Sequence, residues 1–165
     1  MKIPNNSLTK EIKEIVRLCK KLKEDPSDDR SWFKPPAKEE ENSEWERING
    51  IAIPESYIEW LRFSNGSQIL DREARLFGTF EFRLSDDYVP DDYVVIGMLI
   101  GDGERLCFSK NSGKIVRCLQ GKSEVLDSFA DVLREIIRSG KDESGLSKEA
   151  EDLLLKMVAE SKDDA

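Results

Sequence analysis

The sequence predicts an α+β fold: N-terminal helices, a central and largely antiparallel sheet (a meander), then C-terminal helices. Three observations carry that prediction. Apolar residues recur at steps of three and four near both ends of the chain. Strand-like runs crowd the middle. Short turn signals join those runs, too short for the crossovers that parallel strands need.

Residues 7–24 predict the first helix. Leu8, Ile12, Ile15, Cys19 and Leu22 form its apolar stripe, Ser7 is the expected N-cap, and Asp25-Pro26 stops it. A polar loop follows, and Trp32-Phe33 begins a new packing unit. Pro35-Pro36 precede a second helix over residues 38–49, with Glu39, Glu40 and Glu41 where the helix dipole favours negative charge. Asn49-Gly50 ends it, and Ile51–Ile53 is extended ahead of Pro54. A third helix starts at Pro54, carries Tyr57, Trp60, Leu61 and Ser64 on one stripe, and terminates at Asn65-Gly66.

Residues 69–70, 76–77 and 80–84 are short strand candidates, the last because it alternates apolar and polar residues. Residues 93–100 are β-branched and mostly apolar, as a central strand requires. Turns at Gly101-Asp102-Gly103, Asn111-Ser112-Gly113 and Gln120-Gly121-Lys122 then separate strands over 104–109, 114–119 and 123–126. A fourth helix, capped by Asp127 or Ser128, runs to Ser139 with Gly140 as its stop, leaving Phe129, Val132, Leu133, Ile136 and Ile137 inward. A linker over 141–145 leads to a last helix capped by Ser147, with Ala150, Leu153, Leu154, Met157 and Val158 on its apolar face. That face docks on the domain or supplies a dimer or partner contact. The expected organisation is an N-terminal helix packed on the core (1–30), a central domain (31–140), and a linker with C-terminal helix (141–165).

Composition narrows the function. At 165 residues the chain can bury roughly 70% of its unfolded surface, so it needs neither disulfide nor metal to hold together. The net charge of −8 repels phosphate backbones and anionic lipid, which argues against nucleic-acid and membrane partners. Histidine is absent, which removes Ser-His-Asp and Cys-His catalysis and His-ligated zinc. Cys19, Cys107 and Cys118 have no metal-binding spacing and read as reduced thiols, the last two on neighbouring strands. Residues 1–6 are too short and polar for a secretory leader, and the longest apolar run is of strand length, so a cytoplasmic protein is expected.

Phe33-Lys34-Pro35-Pro36-Ala37, Glu39-Glu40-Glu41, Trp45-Glu46, Asn49-Gly50-Ile51, Ile53-Pro54, Tyr57, Trp60-Leu61 and Ser64-Asn65-Gly66 resemble the signature of the SUKH superfamily. Leu76-Phe77-Gly78, Tyr93-Val94-Val95-Ile96-Gly97 and Gly101-Asp102-Gly103 are similar to its meander, so the likeness spans about residues 32–139. That group includes a fungal cell-wall-assembly regulator and many bacterial immunity proteins. The resemblance implies a binding fold without catalytic residues, cofactor or metal. It also implies a cognate toxin domain as partner, a basic nuclease-type domain among the choices, bound by a monomer or weak dimer. A regulatory scaffold or general interaction domain is the alternative, and an enzyme using paired carboxylates is a third reading.

Lys38 stands where the family usually has a capping Ser or Thr, whose loss costs about 1 kcal/mol unless a neighbour adapts. Asn42 stands at a usually apolar position on a stripe with Trp45 and Ile48, so its amide needs a backbone partner or an edge open to water or ligand. Trp45, Tyr57 and Trp60 are either an aromatic platform or core, with Trp32 and Phe33 packed beneath. Asp86, Asp87, Tyr88, Asp91 and Asp92 are the candidate partner-binding residues. Carboxylates around an aromatic suit a basic protein surface; the same run also reads as a loose divalent-cation site or a solvated loop.

Overall fold

The computed structural model describes residues 1–70, 74–99 and 103–163; beyond Asp142 the only side chains described are those of Leu153, Leu155, Lys156 and Met157. Its elements are α1 (Thr9–Lys21), β1 (Trp32–Phe33), α2 (Glu39–Asn49), α3 (Glu55–Leu61), β2 (Ser67–Ile69), β3 (Ala74–Leu76), a 3₁₀ turn (Thr79–Glu81), β4 (Tyr93–Leu99), β5 (Glu104–Ser109), β6 (Ile115–Leu119), β7 (Lys122–Leu126) and α4 (Phe129–Asp163). The strands pair antiparallel in chain order, β1 to β7, in one sheet. The expected α+β meander is what forms. The turn residues Gly101 and Asp102, Ile100, and the side chains of Ala150, Leu154 and Val158 lie outside the described residues.

Both faces of the sheet are covered, which explains the nearly continuous apolar run in β4. Val94, Ile96, Leu106 and Phe108 face the helices, against Leu8, Ile12 and Ile15 of α1, Tyr57 and Trp60 of α3, and Phe129, Val132 and Leu133 of α4. On the other face Val95, Cys107, Val116 and Cys118 pack with Phe77 and Val89. Cys107 and Cys118 are thus buried free thiols, and burial pushes both up from their ordinary range. Tyr57 and Trp60 are core residues. Tyr57 meets Phe129 edge-on at 5.0 Å, and Trp60 lies 5.3 Å from Phe63.

Several local expectations change. Ser7 does not cap α1; its hydroxyl bonds Glu59, while Asn6 Oδ1 accepts the Leu8 N–H at 2.9 Å. Lys38 supplies no capping oxygen, but Glu41 reaches back to the Lys38 N–H at 3.1 Å, half of a capping box. Ile48 points to solvent, whereas Asn42 is buried, and Asn42 Oδ1 has no hydrogen-bond partner among the described residues. Residues 80–84 form no strand, only a single bridge from Arg83 to Val95. The Glu81 carboxylate turns back to the Gly78 N–H at 3.2 Å and closes a 3₁₀ turn, so Phe82 points inward and Phe80 outward.

The largest correction concerns the C-terminus. Gly140 is no stop, and the linker expected over 141–145 is helical: α4 runs 35 residues without a break. Glycine sits there because α1 comes close. A Cβ at 140 would lie 2.5 Å from Leu18 Cδ2, so glycine admits the contact at the usual helix cost of about 1 kcal/mol. Leu153, Leu155 and Met157 are exposed on the far part of α4. None of the described helices is long and apolar enough to cross a membrane.

Candidate functional site

The segment between the 3₁₀ turn and β4 carries the five sequence-predicted contact residues, and it is pinned to the sheet at both ends. Val89 inserts into the second core cluster, and Arg83 pairs backbone to backbone with Val95. Asp86 holds the middle. Its Oδ1 accepts the Tyr88 N–H at 2.9 Å, and its Oδ2 lies 3.3 Å from Arg105 Nε on β5 and 3.5 Å from Arg83. Burial raises the Asp86 carboxyl, but the Tyr88 amide and the two guanidinium groups outweigh it and leave the group below its ordinary value. The Asp86 side chain is only 6% exposed, so this residue organises the loop from inside.

The other four face outward. Tyr88 is exposed, with the Arg105 guanidinium 5.7 Å from its ring centre. Asp87, Asp91 and Asp92 are exposed and form no ion pair among the described residues. Lys110 braces their backbone rather than neutralising their charge: its N–H reaches Asp92 O at 2.9 Å, and its ammonium reaches the carbonyls of Asp91 and Leu84. The result is a braced loop that exposes Tyr88 and three carboxylates, none of them in an ion pair among the described residues. It can attract and orient a cationic surface.

A second surface lies elsewhere, and the sequence reading missed it. Residues recognised only as scattered motif pieces converge on one groove of roughly 310 Å³, between Pro35-Pro36, the Asn65 turn and the 3₁₀ turn. Backbone bonds lash its walls together: Lys34 N–H to Gly66 O at 2.9 Å, Asn65 N–H to Pro35 O at 2.9 Å, and Ala37 N–H to Leu61 O at 2.8 Å. The side chain of Asn65 spans the groove, its Oδ1 accepting the Thr79 N–H at 2.9 Å and its Nδ2 donating to Glu41 at 3.2 Å. Glu81 pairs with Arg75, whose guanidinium also stacks 4.5 Å from the Trp32 ring centre. Phe80 stands at the rim, 87% exposed. The alternation through Phe80, Phe82 and Leu84 gave no sign of this, because a turn and an edge strand share that pattern.

Among the described residues no three acidic or thiol side chains gather as metal ligands would. A sequence model described as the SMI1 / KNR4 family (SUKH-1) matches residues 36–135, which hold both surfaces almost entirely. No curated protein matches the chain.

Proposed function

This chain belongs to the SMI1 / KNR4 family (SUKH-1), and from that premise we propose that it is an immunity-type protein that binds a cognate toxin domain and masks it by direct contact. It works by occlusion and charge complementarity, without turnover, in the cytoplasm where it is made. The observation that carries the reading is the loop from Asp86 to Asp92: three unpaired carboxylates and Tyr88, held in place by Asp86, Arg105 and Lys110. A preorganised acidic surface speeds association with a basic partner and loses little entropy when the partner docks. Many nuclease-type toxins are basic, because they hold phosphate backbones.

Co-expression with the toxin domain encoded beside it tests the proposal. Rescue of growth, together with a complex on size exclusion, supports it. Undiminished killing with no complex overturns it.

A regulatory scaffold is the second reading, and the groove beside Phe80 favours it. That surface is unlike the acidic loop in chemistry, as a protein joining two partners would need. Several host proteins captured with no toxin gene nearby would select this reading.

A further inference from the structure

We infer that the outward face of α1 docks a short, strongly acidic segment of a partner protein. This goes beyond toxin masking, because α1 covers one face of the sheet and the loop over 86–92 is anchored on the other. Helix α1 also lies outside the family span of residues 36–135.

The net charge of −8 conceals a strong asymmetry. Residues 1–23 hold seven lysines and arginines and two acids, whereas the rest of the chain holds nineteen and thirty-two. On α1, Lys10, Lys13 and Arg17, then Lys20 and Lys21, recur at steps of three and four. At 3.6 residues per turn they fall within about 100° of arc, opposite the apolar stripe of Ile12, Ile15 and Cys19.

The acids of α1 do not cancel these cations. Glu11 and Glu14 turn toward α4, where Glu11 meets Arg134 at 3.3 Å and Glu14 meets Lys141 at 3.8 Å. Arg134 also holds Asp131 at 2.9 Å. The five outward cations of α1 are exposed and form no ion pair among the described residues. Arg134, Arg138 and Lys141 continue the basic surface across the groove that α1 shares with α4. Eight cations on the two helices therefore stand against four described acids, Glu11, Glu14, Asp131 and Asp142.

That surplus selects an acidic occupant, and the length of the stripe selects a short one. From Lys10 to Lys21 the stripe runs about 16 Å. Past its far end come Glu24, Asp25 and Asp29, all exposed, and before its near end Ser7 is bonded to Glu59. A nucleic-acid duplex or an anionic membrane runs past both ends and meets those acids inside a screening length of about 8–10 Å. A segment of about five extended residues, or about ten helical ones, stays on the stripe. Recognition rests on charge, so it weakens steeply with salt.

The test uses the full chain and an octapeptide of six glutamates and two glycines carrying a neutral dye. Its counterpart replaces the glutamates by glutamines. Anisotropy at low salt is expected to show saturable binding of the acidic peptide, weakened about tenfold at about 0.2 M salt, and none of the glutamine peptide. Lys13→Glu with Arg17→Glu should weaken binding about tenfold. Lys114→Glu with Lys122→Glu, at two exposed lysines of the meander, changes the net charge equally and should weaken binding no more than about twofold. Equal losses from the two pairs, absence of saturable binding, or equal binding of both peptides overturns the inference. A duplex of about fifteen base pairs and vesicles of anionic lipid should each bind more weakly than the acidic peptide, and tighter binding of either overturns it. Amide shift mapping on the unaltered chain guards against a misfolded variant: the resonances of Lys10, Lys13 and Arg17 must move with peptide, and shifts confined to other residues overturn it too.

Discussion

Asn65 and Gly78 are in such close contact that no side chain fits between them: a Cβ on Gly78 would lie 2.2 Å from the Asn65 carbonyl oxygen. The neighbouring Thr79 N–H is then delivered to Asn65 Oδ1 at 2.9 Å. This contact joins the turn after α3 to the turn after β3 and so builds the groove.

Gly78→Ala should therefore destabilise the protein by about 1–3 kcal/mol, the cost of overpacking against backbone that cannot retreat. Urea unfolding measures it. An unchanged midpoint would mean that the two turns are not held together as described.

Tyr57 donates its hydroxyl to Phe77 O at 2.5 Å and lies 3.2 Å from Ile96 O, fully buried. Tyr57→Phe leaves the Phe77 carbonyl short of a donor and should cost about 1–3 kcal/mol. The alkaline limb supplies a second readout. Burial, and after it the charge of Glu81, raise Tyr57 well above its ordinary value, so the folded state holds this proton more tightly than the unfolded chain. Its contribution is complete below the unfolded value of about 10 and is lost as pH rises beyond it. Urea midpoints above about pH 10 should fall more steeply for the native protein than for Tyr57→Phe.

How much of this was legible in the sequence depends on the residue. Ile12, Ile15, Tyr57 and Trp60 announce their burial by period, because one face of a helix must meet the core. Gly140 misleads for a physical reason. A glycine that ends a helix and a glycine that lets another helix approach are the same letter, and only the partner, Leu18, distinguishes them. The acidic loop was readable as charge, but the inward role of Asp86 needed Arg105, on another strand. Phe80 was misread because alternation reports period and not what covers the residue.

Gly140→Ala tests the helix contact. In an open helix this change stabilises by about 1 kcal/mol. Here the added methyl meets a terminal methyl of Leu18, which must shift, so the gain in melting temperature should be reduced or reversed. In a Leu18→Ala background the same change should become less harmful or favourable, and a double-mutant cycle on the four proteins gives the coupling. Additive effects would contradict the contact.

Asp86→Ala separates organisation from contact. Removing the carboxylate leaves the Tyr88 N–H and Arg105 without their partner, so hydrogen exchange at Tyr88 should quicken. The same bonds hold Asp86 below its ordinary value, so their stabilisation is present above about pH 4 and is lost as pH falls through the lowered folded value. Loosening of the loop on acidification in the unaltered chain, and not in Asp86→Ala, is the expected pattern.

Stopped-flow association with the purified toxin domain, as a function of salt, asks whether the acidic loop makes the contact. A stoichiometric complex is expected, with an association rate that falls with added salt and falls further when Asp87, Asp91 and Asp92 are changed to lysine. A complex whose rate ignores both salt and those changes would contradict the acidic loop as the contact surface, and protection from killing without any complex would contradict neutralisation by binding.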